Sequence, residues 1–190
     1  MNIDSHTDDE IRDILNMKKV AVIGMSKYNE KAAHFVPKYL LQNGYDVTPV
    51  NPTAEEILDK KCYTEVTEIP YDVDIVDIFR PSEDVPSIIN GVLKKKPKVM
   101  WLQEGIHNPD AEQLARDSGI DVIFNRCMLA EHQRLMWYVL IQVIFWGITG
   151  SIREIWEKTS YDQSWEWAGL GIYKNFWWKN WLDTKSQDWS

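Results

Sequence analysis

Cysteine is nearly missing from this 190-residue chain, with Cys62 and Cys127 the only two. Two thiols make no disulfide framework, and neither stands in the spacing of a zinc site. Basic residues are also in short supply. Lys and Arg total 21 against 29 Asp and Glu, for a net charge of −8. A broad nucleic-acid surface needs a basic face and is thereby excluded, whereas one bound nucleotide needs only a few local donors. The apolar stretch Tyr138 to Trp146 falls short of the roughly 20 residues a membrane helix requires. No secretory leader is recognisable either. Met1 to His6 is polar and acidic where a leader would be charged and then apolar, so a cytoplasmic chain is expected. Internal repeats and low-complexity segments are lacking as well.

What remains is ordinary globular composition, 44% apolar and 26% charged, enough to bury a core. Tryptophan divides the chain. Residues 1–136 hold only Trp101, and 137–190 hold the other nine of ten. We therefore expect a folded domain over 1–136 and a Trp-rich C-terminal extension over 137–190. Exposed, so many indoles would be adhesive, which makes the extension a candidate surface for self-association or a protein partner. A non-native extension is the other possibility.

Within the first part, short β-rich runs alternate with helical patterns. The strands are Lys19–Gly24, Tyr45–Val50, Val73–Phe79, Val99–Leu102 and Asp121–Asn125. Helices are expected at Asp4–Leu15, capped by Ser5 or Thr7, and at Ala33–Asn43, stopped by Gly44. Two more fall at Ser82–Lys96 and at Pro109–Ser118, the latter capped by Asn108. Strands separated by helices of this length imply a parallel sheet covered on both faces. The expected fold is α/β, a doubly wound, mostly parallel five-stranded sheet in the order 3-2-1-4-5.

In such sheets ligands sit beyond the carboxyl ends of the strands. The first strand ends in Gly24-Met25-Ser26-Lys27, where free N–H groups near a helix start can receive a pyrophosphate. The G-x-G-x-x-G of a dinucleotide site is missing, since Gly24 opens a longer polar loop. The second strand ends in Asn51-Pro52 instead of the acid that holds the ribose in NAD sites. Lys27 and Lys31 bring cations to the phosphate position. His34 stands near the helix start, either touching phosphate or merely at the surface. Arg80, at the tip of the third strand, faces the cleft.

Seven segments in register carry a resemblance across Lys19–Leu135. They are Val22-Ile23-Gly24-Met25-Ser26, Tyr39–Tyr45, Pro49-Val50-Asn51-Pro52, Asp74–Arg80, Trp101–Ile106, Asn125-Arg126-Cys127 and Glu131-His132-Gln133-Arg134-Leu135. The chain resembles small stand-alone coenzyme A-binding proteins with a Rossmann-like fold, related to the succinyl-CoA synthetase α subunit and to NDP-forming acyl-CoA synthetases. The resemblance implies a coenzyme A or acyl-CoA ligand. Gly24, Met25, Ser26 and Lys27 would hold its pyrophosphate, with backbone N–H groups and the Ser26 hydroxyl as donors. Val50, Asn51 and Pro52 would flank the adenosine end. Phe79, Arg80 and Pro81 would line the cleft, and Gln103, Gly105 and Ile106 would lie near the pantetheine arm. Lys27, Lys31 or Arg80 would each add a charge-assisted bond to a phosphate.

Catalytic machinery is not evident. No paired carboxylates, serine triad or metal-ligand set can be assembled, and the resembling ligases need further domains. The chain therefore reads as a binding module: a sensor, carrier or regulatory unit. The alternatives are an oxidoreductase with an atypical NAD(P) loop and an interaction protein using the aromatic extension. His132 reads as structural, held by Glu131 to Arg134. Cys127 reads as a small buried residue, with a mixed disulfide to the CoA thiol as its alternative. Cys62, beside Lys60 and Lys61, reads as structural. Lys94–Lys96 reads as a solvated helix end.

Overall fold

In the computed structural model, which describes residues 4–135, five strands form one parallel sheet. They are β1 (Lys19–Ile23), β2 (Asp46–Val50), β5 (Ile75–Ile78), β6 (Val99–Leu102) and β7 (Asp121–Ile123). Two short strands, β3 (Glu56–Ile57) and β4 (Lys60–Lys61), make a separate antiparallel hairpin. The helices are α1 (Asp8–Leu15), α2 (Ala32–Gln42), α3 (Val85–Lys95), α4 (Pro109–Asp117) and α5, residues 128–135. The Trp-rich extension, its boundary and its partner role lie outside the described residues.

Alternation along each strand divides the core in two. Ala21, Ile23, Val76, Ile78, Met100, Leu102 and Val122 face one way, against Val85, Ile89 and Val92 of α3 and Ala111 and Ala115 of α4. Val20, Val22, Val47, Ile75, Val99, Trp101 and Ile123 face the other way, against Ile11, Ile14 and Leu15 of α1, Leu40 of α2 and Met128 and Leu135 of α5. Helices cover both faces, so the fold is the doubly wound Rossmann-like α/β class expected. Trp101, fully buried, donates its indole N–H to the Arg126 carbonyl at 2.7 Å and so fixes the chain entering α5.

The strand order corrects the sequence expectation. The sheet runs β2-β1-β5-β6-β7, so the third long strand pairs with the first, and the second stands at the edge. Proline explains why. Pro49 lies inside β2 and has no N–H, which suits an edge strand. Its carbonyl accepts from Tyr63 N–H at 3.0 Å, and Asn51 N–H returns a bond to Tyr63 at 2.9 Å. A stretch of loop therefore covers the outer edge of β2. The order places the switch point between β1 and β5.

Element ends differ in instructive ways. The first helix begins at Asp8, capped by a reciprocal Thr7–Glu10 box, because Asp4 and His6 are used elsewhere. Asp4 pairs with Arg126 at 3.0 Å, and His6 bridges Asp4 and Asp121. The third helix begins at Val85 rather than Ser82. Ser82 instead ties two loops, its hydroxyl accepting from His107 N–H and its carbonyl from the Asn108 amide.

The β3–β4 hairpin went unforeseen. Its turn residues, Leu58 and Asp59, both have positive φ, 53° and 57°, yet neither is the Asn or Gly that announces such turns. Asp59→Gly is expected to raise stability by about 0.5–1 kcal/mol, because an L residue pays for this conformation. Urea denaturation of the two proteins checks it, and an unchanged midpoint contradicts it.

Candidate functional site

The tips of β1 and β5 meet at Gly24. Its φ is +83°, and a Cβ built there would stand 2.6 Å from the Phe79 carbonyl oxygen and 2.9 Å from Arg80 Cδ. Only a residue without a side chain lets these two tips close. The Gly24 N–H donates to the Val50 carbonyl at 2.9 Å, and Phe79 N–H donates to Ile23 at 2.9 Å. Three strand ends are thereby locked side by side beneath the loop that leads to α2.

That loop is folded on itself. Ser26 N–H donates to the Ala33 carbonyl at 3.0 Å. The Ser26 carbonyl accepts from His34 Nδ1 at 2.7 Å, and the Ser26 hydroxyl oxygen accepts from Tyr28 N–H at 3.1 Å. Asn51 braces the loop from β2, its amide donating to the Met25 carbonyl at 2.8 Å while its oxygen accepts from Thr53 N–H and hydroxyl. These bonds narrow the donor set expected for a phosphate, since the Gly24 and Ser26 N–H groups are already used. Among the described residues, the N–H groups of Met25, Lys27, Ala32 and Ala33 have no partner. The Ser26 hydroxyl hydrogen is likewise unengaged.

The first turn of α2 completes the arrangement. It has no side-chain cap and no acidic residue, which leaves the positive end of the helix unopposed. His34 is 5% exposed, and with Nδ1 donating to Ser26 its buried Nε2 has no partner. A buried polar atom without a bond is uncommon and invites a ligand explanation. The histidine is thus buried, not at the surface.

The other expected residues stand at the same carboxyl-end rim or beneath it and differ in availability. Pro52, Arg80 and Pro81 are exposed, Phe79 is half-buried and Val50 is buried. Arg80 is already paired with Asp84 at 2.7 Å. Gly105 is exposed, its N–H held by Asn125 Oδ1 at 2.8 Å. Ile106 is buried in the core, and Gln103 is buried as a strut. Its amide donates to Asp77 Oδ1 at 2.8 Å, and its oxygen accepts from Met128 N–H at 3.3 Å.

Two residues near the site escaped the sequence reading. Asp77 is wholly buried on β5, its Oδ2 without a partner, and removal from water pushes its carboxyl up to about 7. A lone acid in the run Ile75-Val76-Asp77-Ile78 was the available signal. Tyr28 is half exposed, with the ammonium groups of Lys27 and Lys31 near its ring.

The remaining candidates are held in the fold to different degrees. His132 is buried and held by the Tyr39 hydroxyl at 2.9 Å and by edge contacts with Tyr39 and Tyr45, not by its neighbours Glu131 and Arg134. Burial lowers its pKa. Cys62 is buried, and burial raises its thiol rather than the nearby lysines lowering it. Cys127 stands before α5 and is only partly buried, not the buried residue expected, and burial raises its thiol as well. Lys95 is no free cation, because its ammonium donates to the Ile69 and Tyr71 carbonyls. The described residues contain no group of three or more His, Cys, Asp or Glu able to hold a metal ion, and no helix long and apolar enough to cross a membrane.

A doubly wound sheet with unpaired donors above its switch point defines a nucleotide-binding domain of the Rossmann-like class. The chain belongs to the CoA binding domain family, whose profile matches residues 18–133. It is 36% identical over 124 residues to the uncharacterized protein YneT of Bacillus subtilis, covering 65% of this chain and 92% of that one. A hypothetical protein from Pyrococcus horikoshii OT3 superimposes with a TM-score of 0.69 at 42% identity, covering 72% of this chain and 96% of that structure. The ADP-forming acetate–CoA ligase II of Archaeoglobus fulgidus is 38% identical over 86 residues, 44% of this chain but only 13% of the ligase.

Proposed function

We propose that this chain binds coenzyme A or an acyl-CoA at the carboxyl ends of β1, β2, β5 and β6, and serves as a sensor, carrier or regulatory module. The observation that carries the reading is the unspent donor set at the start of α2. It comprises the free N–H groups of Ala32 and Ala33 and the Ser26 hydroxyl, beside the buried, unpartnered Nε2 of His34, which donates only when the ring carries both protons. Together they fit a diphosphate. Helix N–H groups and the helix dipole favour an anion, and the hydroxyl, its oxygen oriented by Tyr28 N–H, donates its hydrogen outward. The edges of Val50, Asn51 and Pro52 would border the adenosine, and the β5 and β6 tips would border the pantetheine arm. When bound, coenzyme A supplies a thiol for acyl carriage. The contribution of this chain is to bind and orient it. The strand-tip amide Asn51, spent on bracing the loop, supplies no charge toward a nicotinamide-cofactor ribose.

Isothermal titration of the full chain with coenzyme A, NAD, NADP and ATP tests the reading. Coenzyme A is expected to bind at least tenfold more tightly than the rest, and preference for NAD removes the proposal. Ser26→Ala is expected to weaken coenzyme A binding about five- to tenfold, the effect of one lost hydrogen bond of about 1–1.5 kcal/mol. Unaltered affinity in that variant would mean the hydroxyl does not face the ligand.

A further inference from the structure

Lys27 and Lys31 both approach the ring of Tyr28. Their ammonium groups lie 5.5 and 5.7 Å from the Tyr28 centroid, inside the range of a cation–π contact. Among the described residues neither meets a carboxylate. Arg80, Lys60 and Lys98, by contrast, each pair with an acid. An aromatic partner gathers cations without neutralising them. A carboxylate would cancel the charge; the ring leaves both charges beside it unspent and open to an arriving anion.

The cluster is placed beside the donor set, yet separate from it. Tyr28 N–H holds the Ser26 hydroxyl, and Lys31 is the N-cap of α2 with its own N–H bonded to the Tyr28 carbonyl at 3.2 Å. Two cations in the open suit a phosphomonoester, which carries a charge near −2 at neutral pH. A bridging phosphate of the diphosphate carries one. Coenzyme A has a single phosphomonoester, on the ribose 3′ position, and dephospho-coenzyme A differs from it by that group alone.

We propose that Lys27 and Lys31, gathered by Tyr28, form the subsite that reads the 3′-phosphate of coenzyme A. The proposal rests on the coenzyme A reading and deepens it. Lys27 and Lys31 make the contact, and Tyr28 is a positioning residue that holds the pair together. Arg80 is another cation at the rim, and its guanidinium is already committed to Asp84 at 2.7 Å, so it contributes little to this discrimination.

Titration of the full-length chain with coenzyme A and dephospho-coenzyme A tests it. The wild-type chain is expected to prefer coenzyme A by tenfold or more. In Lys27→Gln/Lys31→Gln that ratio is expected to fall to twofold or less, coenzyme A affinity dropping at least fivefold more than dephospho-coenzyme A affinity. Tyr28→Leu is expected to reduce the ratio about threefold, and Tyr28→Phe to restore it, because the ring rather than the hydroxyl does the gathering. Arg80→Ala is expected to keep the ratio. A preserved ratio in the double lysine variant, or its loss in Arg80→Ala alone, overturns the subsite while leaving coenzyme A binding intact. Absence of binding by either compound to the wild-type chain overturns the parent reading and the subsite with it. All the substituted side chains but Arg80 lie on one exposed loop without tertiary partners, and circular dichroism of each variant verifies the fold.

Discussion

Gly24→Ala is expected to destabilise the fold by about 3 kcal/mol and to abolish measurable coenzyme A binding. Two effects add. A left-handed φ of +83° strains any L residue by about 1–2 kcal/mol. The new methyl then meets the Phe79 carbonyl oxygen at 2.6 Å, a backbone atom fixed by β5 and unable to swing aside, and such overpacking adds about 1–3 kcal/mol. Relief requires the β1 and β5 tips to part, which moves the loop carrying Ser26. Gly105→Ala is the control that separates the two effects. Gly105 has the same φ, +83°, but a Cβ there meets nothing within 4 Å. Its loss is expected to be about 1–2 kcal/mol, from strain alone. Chemical denaturation of both variants beside the wild-type chain decides the matter. Equal losses would show that the contact with Phe79 carries no weight.

The second large effect concerns Asp77 and is a function of pH. Burial pushes its carboxyl up to about 7, opposed by the bond from Gln103. The same group titrates near 4 in an unfolded chain. Between about pH 4 and pH 7 the folded chain therefore holds a proton that the unfolded chain has released. A raised acid of this kind contributes stability that is complete below about pH 4 and lost as the pH climbs to about 7. A shift of about 3 units caps the total near 4 kcal/mol. Asp77→Asn keeps the acceptor for Gln103 and removes the titration. Its stability relative to wild type is expected to improve by about 2 kcal/mol between pH 5 and pH 7, then to level off above about pH 8. Urea denaturation at a series of pH values measures this. A difference independent of pH would mean that the carboxyl ionises alike in both states.

Asp77 also bears on the site, because it anchors Gln103. That side chain in turn receives Met128 N–H at 3.3 Å. The β5 and β6 tips and the start of α5 are thus joined by a single chain of polar contacts through the core. The sequence reading placed Gln103 beside the pantetheine arm. The structure gives it this bracing role, and the orphaned Asp77 Oδ2 next to it makes the brace sensitive to protonation.

Legibility followed the range of the interactions. The five long strands and α1 to α4 were readable because apolar runs, caps and Gly stops act within a few residues. Val99–Leu102 fell where expected, and Thr7 and Asn108 cap as their sequence contexts suggested. The hairpin at Leu58–Asp59 was hidden because its residues are atypical of its backbone. The strand order was misjudged although Pro49 was in view, because the weight of a missing N–H depends on which neighbour lies beside it. In the site, Gly24, Ser26 and the two lysines were legible as types at the right strand tip. Their division into spent and unspent donors was not, since Ala33 and Val50 decide it, as Asp84 does for Arg80.

The sequence by itself determined that this is an α/β domain with a polar, single-glycine loop after its first strand and an excess of acidic over basic residues. Those features are set by local periodicity and by composition, and no tertiary contact can alter them. Only the tertiary structure decided that β5 lies against β1, that Arg80 is neutralised while Lys27 and Lys31 are not, and that His34 and Asp77 are buried with atoms unpaired. Each of these depends on groups far apart along the chain meeting in space, where burial strips away water and leaves every polar atom to find a partner or go without.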